Sequence, residues 1–114
     1  MVIKLDTIYE VASGKVTLSV IIGEAQLGSS LVKLNDVELG IGQINNLSIG
    51  RGSDIAGKTL FIKTVVTDVN DKTNLTSVGY VFKGGKVDKR YDLNATVNEE
   101  GGSVIYRANF KLIA

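Results

Sequence analysis

The stretch "SVIYRANFKLI" at 103–113 alternates with little interruption: Val104, Tyr106, Ala108, Phe110 and Leu112 fall on one side, Arg107, Asn109 and Lys111 on the other. Successive side chains of a β-strand point to opposite faces, so a period of two describes a ribbon with one buried and one wet face. The same period runs through most of the chain. In "IKLDTIYEV" Ile3, Leu5, Tyr9 and Val11 oppose Lys4, Asp6 and Glu10, and in "KVTLSVIIG" Val16, Leu18, Val20 and Ile22 oppose Lys15, Thr17 and Ser19. Further strands are read at 30–39, 46–50, 58–69, 76–84 and 86–97. The 58–69 segment is apolar on both faces at Leu60, Phe61, Ile62, Val65 and Val66, the mark of a central strand. No long window has helical periodicity, and only "GEAQLGSS" (23–30) is expected to hold a short helical turn.

Turn residues punctuate the strands at Ser13-Gly14, "NDKTN" (70–74), Gly84-Gly85 and "NEEGG" (98–102). The glycine pair at 84–85 predicts a two-residue hairpin turn, because glycine takes positive φ without penalty. Regularly spaced short strands in one domain spanning 1–114 predict an antiparallel two-sheet β-sandwich of about 7–8 strands. An immunoglobulin-like or C2-like arrangement is the first expectation, and a small barrel or jelly roll is the alternative.

Composition mainly excludes. The chain of 114 residues is 44% apolar and 22% charged, enough to build a core. It has no cysteine and no histidine, so thiolate chemistry, disulfides and imidazole general bases are ruled out. Thirteen basic and twelve acidic residues leave a net charge of +1, which gives no electrostatic reason to expect nucleic acid or a membrane as partner. Lys83, Lys86, Lys89 and Arg90 cluster locally, but Asp88 and Asp92 interrupt them, as on a solvated edge. No signal-peptide core precedes the first strand, and the expected location is cytoplasmic, or secreted if the chain is a processed or excised domain.

One motif demands scrutiny. "GSDIAGKT" (Gly52–Thr59) fits the phosphate-binding pattern G-x-x-x-x-G-K-[ST]. That loop works by joining a strand to a helix, whose N-terminus and backbone amides cradle phosphates. Here "LFIKTVVTDV" follows, β-branched and alternating, so the stretch is expected to be a turn shaped by Asp54 and Gly57 before a central strand, with no nucleotide bound.

A second cluster, "DVNDKTN", brings Asp68, Asn70, Asp71 and Asn74 within seven residues. Oxygen-rich loops of this kind can hold Ca²⁺, although the EF-hand glycine and terminal glutamate are replaced by Thr73 and Gly79. The competing expectation is an Asx-rich turn capping its own backbone. Glu99 and Glu100 sit in a glycine turn, and no pair of carboxylates is placed for acid/base work. Tyr9, Tyr80, Tyr91 and Tyr106 each fall on an apolar phase and read as packing residues. No catalytic residue or bound cofactor is assigned. The expected role is therefore a non-catalytic structural or protein-interaction module, a homo-oligomer or subunit of an assembly, with a calcium-dependent ligand-binding domain using the 68–74 loop as the alternative. Among its edges, "KVDKRYDL" looks guarded by charge, whereas "NLSIGRG" and "SVIYRANFKLI" look open.

Overall fold

In the computed structural model, which describes residues 1–114, the alternation resolves into nine strands. They are β1 (Val2–Glu10), β2 (Lys15–Ile22), β3 (Leu27–Leu34), β4 (Val37–Gly42), β5 (Leu47–Arg51), β6 (Thr59–Thr67), β7 (Leu75–Lys83), β8 (Lys89–Thr96) and β9 (Ser103–Ile113). The only helix, α1 (Gly52–Ile55), is a single turn before β6. One sheet has the order β1-β9-β6-β3-β4 and the other β5-β2-β7-β8. The two layers pack as a sandwich. β6 is the middle strand of the larger sheet, as its two apolar faces predicted.

Pairing is antiparallel with one exception: β1 runs parallel to β9 through nine register pairs, from Val2↔Ile105 to Glu10↔Ile113. These strands are remote in sequence, so no hairpin turn dictates their relative direction. β1 then crosses to β2 in the other sheet. Its inward phase is already full at Tyr9 and Val11, so the register that buries those two decides the pairing.

Three local expectations are corrected. Segment 30–39 is not one strand but a hairpin, with Leu34 paired to Val37 across Asn35 and Asp36. Asn35 adopts φ +49, and its side-chain oxygen accepts the Thr59 amide at 3.0 Å. Segment 23–30 holds no helical turn. Glu24 and Ala25 take φ +59 and +54, the Gln26 amide donates to Gly23 O, and β3 starts at Leu27. Nor do Gly84 and Gly85 make a two-residue turn, because the last β7–β8 pair is Phe82↔Lys89 and residues 83–88 form a wider loop. That loop is drawn onto β1: the Gly85 amide donates to the Tyr9 hydroxyl, which donates in turn to Val87 O at 3.0 Å.

The core spans the space between the sheets. Val104, Tyr106, Ala108, Phe110 and Leu112 are all buried, as are Val16, Leu18, Tyr80 and Phe82 facing them. No helix is long and apolar enough to cross a membrane.

Candidate functional site

The phosphate-loop look-alike can be judged amide by amide. Gly52 N donates to Gly14 O, Ala56 N to Gly52 O, Gly57 N to Leu112 O, Lys58 N to Ile55 O, and Thr59 N to the Asn35 side chain. These five amides, those of the Gly57-Lys58-Thr59 end among them, each point at an acceptor inside the protein and so are not free to wrap a phosphate. Gly52 is glycine for a packing reason, since a Cβ there would collide with the Ala12 carbonyl. Gly57 takes φ +87 and turns the chain into β6. The stretch is a turn leading into a strand.

At the end of the sandwich where β6 leaves the sheet, three loops meet: residues 23–26, 68–74 and 97–102. Gln26 ties the first to the second. Its Oε1 accepts the amides of Val69 and Asn70 at 2.8 and 2.9 Å, and its Nε2 donates to Thr73 O and Leu75 O. The Asp68 amide donates to Gly102 O and the Val97 amide to Asn74 O, which ties in the third loop. Nothing in the sequence marked Gln26, which sits between Ala25 and Leu27 and finds its partners more than forty positions away.

The four candidate metal residues are treated differently by this fold. Asp68 follows Leu60, Ile62, Thr64 and Val66 in the inward phase of β6 and is only 2% exposed. Neither of its carboxylate oxygens has a hydrogen-bond partner. Asn70 closes an Asx turn, with Oδ1 accepting the Lys72 amide and Nδ2 donating to Glu24 O. Asp71 is exposed and Asn74 half-buried. No group of three or more acidic side chains converges here or elsewhere.

The interior next to this end is polar. Ser30 and Thr64 share a hydrogen bond of 2.8 Å, and Thr76 bonds both the Tyr106 hydroxyl and Ala95 O. Burial pushes the phenol of Tyr80 far above its usual range, with the Thr64 hydroxyl opposing the shift, yet the Tyr80 hydroxyl makes no well-formed hydrogen bond. Burial raises Tyr106 too, offset by its bond to Thr76.

The opposite end is aromatic. Tyr9 stacks on Phe82 at 4.5 Å between ring centroids, and Phe110 meets Phe82 and Tyr91 edge-on at 4.8 and 4.9 Å. Over it lies a shallow cleft of about 530 Å³, lined by Ile8, Tyr9, Glu10, Lys86, Val87, Lys89 and Tyr91. The basic cluster is solvated, as expected: Lys86 pairs with Glu10, Arg90 with Asp92, and Lys89 lies over the Tyr91 ring.

Four strands form the sheet edges. β8 and β5 are edges, in keeping with the sequence, but β9 is not, because β1 and β6 flank it. β4 and β5 carry pairing irregularities, a device that twists an edge away from partners. β1 has none. Its odd residues face β9, shown by Ile105 N donating to Met1 O and Val11 N to Ile113 O. Its even residues therefore face outward along the edge. Two are covered, Ile8 O by the Tyr91 hydroxyl and Glu10 O by the Lys86 amide. The backbone groups of Val2, Lys4 and Asp6 are left open. No protein family, curated protein or solved structure matches the chain.

Proposed function

We propose that the protein is a non-catalytic interaction module of immunoglobulin-like or C2-like sandwich type that self-associates through the open half of β1. The observation that carries this reading is the chemistry along that edge. Val2, Lys4, Asp6 and Ile8 share one face in the order apolar, basic, acidic, apolar, and Val2 and Ile8 are each 46% exposed. Such a strand is complementary to itself. In an antiparallel pairing of two copies centred on Leu5, Lys4 lies opposite the partner's Asp6, and Val2 lies opposite the partner's Ile8. Lys4 and Asp6 both aim their backbone groups at the edge, so the same register forms the ladder and pairs the charges. Arg107, beside Lys4 in the sheet, adds a second positive charge toward the incoming Asp6. The five-stranded sheet would then run continuously across a two-fold axis. The absence of histidine and cysteine supports the non-catalytic part of the reading.

Sedimentation of a concentration series is the test. Lys4→Pro removes an outward amide without touching the ladder to β9, and is expected to abolish the dimer while leaving the fold intact. Lys4→Asp alone should weaken association at least tenfold, and adding Asp6→Lys should restore it. A wild-type protein that stays monomeric up to millimolar concentration, or a Lys4→Pro variant that dimerises normally, would overturn the proposal.

A further inference from the structure

At the other pole of the molecule, we infer that Asp68 is the anionic centre of a calcium site enclosed by the loops 23–26, 68–74 and 97–102. An ionised carboxylate removed from water costs several kcal/mol unless charge and hydrogen bonds compensate it. Asp68 has neither: its two oxygens lack partners, and the ion pairs of the protein, Lys86–Glu10 and Arg90–Asp92, both lie elsewhere. Trapped water would supply donors but no charge. A hard cation supplies both what the lone pairs and what the charge require.

The surroundings suit calcium over other ions. With no histidine or cysteine in the chain, every available ligand is an oxygen, which disfavours transition metals. The Gln26 side chain holds two backbone carbonyls at this end, those of Thr73 and Leu75, and carbonyl oxygens keep a second lone pair for a cation. Irregular loop oxygens fit the flexible shell of calcium better than the strict octahedron of magnesium. Asn74 is the side chain of the quartet best placed to join Asp68, being half-buried in the same loop. Asn70 is committed to its turn and Asp71 points to solvent, so neither belongs to the shell. One carboxylate makes a weak site, with a Kd on the order of 10⁻⁴–10⁻³ M.

The experiment is thermal unfolding of chelator-treated protein in CaCl₂, MgCl₂ and NaCl at matched ionic strength. A rise in Tm of about 5 °C is expected at roughly ten times Kd of calcium, well above that in the other two salts. Asp68→Asn is expected to lose the rise and to melt higher than wild type in chelator, because the unpaired charge is gone. Asp71→Ala should keep the rise. An equal response to NaCl overturns the inference, as does a response retained in Asp68→Asn or lost in Asp71→Ala. If Asp68→Asn fails to fold, amide shifts of the wild-type protein decide. Calcium-dependent shifts confined to the three loops support the site, and shifts centred on Glu99–Glu100 or Asp71 overturn it.

Discussion

The two ends of the sandwich are held by different physics. At the aromatic end, Tyr9, Phe82, Tyr91 and Phe110 interlock ring against ring, and the loop 83–88 is fastened to them through the Tyr9 hydroxyl. The polar end has Ser30, Thr64, Thr76 and Tyr106 in its interior and a buried carboxylate at its rim. Aromatic packing is tolerant of small shifts and gains from area. A buried polar network gains only when each member is satisfied, and becomes a liability wherever one is not. The same fold therefore has a robust pole and a conditional one, and the conditional pole is where a ligand has something to offer.

Truncation at the robust pole should have the largest effect. Phe82→Ala removes the ring that contacts Tyr9, Tyr91 and Phe110 and is expected to cost about 3–5 kcal/mol, read as a fall in urea midpoint. Gln26→Ala is the matching test at the conditional pole. It frees two amides and two carbonyls in a partly solvated loop, with an expected loss of about 2 kcal/mol and faster hydrogen exchange across 69–75. A loss as large as that of Phe82→Ala would break the comparison.

The smallest effect is common to both poles. Tyr9, Tyr80 and Tyr106 all have phenols raised above 10.0 by burial. A raised folded value means that the unfolded chain releases these protons first. Stability is thus complete below about pH 10 and declines as pH rises beyond it. Urea midpoints at about pH 9 and about pH 11 should show the fall, together with a tyrosinate signal from these three rings that develops only as the protein unfolds. A full tyrosinate signal with the fold intact would contradict the burial of these rings.

How much of this was legible depends on where the determining contact lies. The alternation of Val104 through Leu112 needs only neighbours two positions apart, and it placed the core correctly. The hairpin at Asn35–Asp36 escaped because its signal in "VKLNDVEL" is small: two adjacent polar residues shift the alternation by one position, from Leu34 to Val37, with no glycine beside them. The wide 83–88 loop and the Gln26 hub were illegible for another reason: their partners, Tyr9 and residues 69–75, are distant in the chain. The burial of Asp68 had a signal, since it continues the inward phase of β6 after Val66. A carboxylate among apolar positions reads as the end of a strand, and here it is also that. Of the edges, β8 was readable from its charges, whereas the parallel docking of β1, which closes β9 inside the sheet, was not.

That parallel docking gives the molecule a mechanical character. Because β1 and β9 point the same way, tension applied between Met1 and Ala114 pulls the two strands along their axes in opposite senses. Every bond of the nine-pair register is then loaded at once, as in a lap joint, and none can be opened singly as in a zip. The strand that offers its outer edge for association is, on its inner edge, held in the geometry that best resists being drawn out.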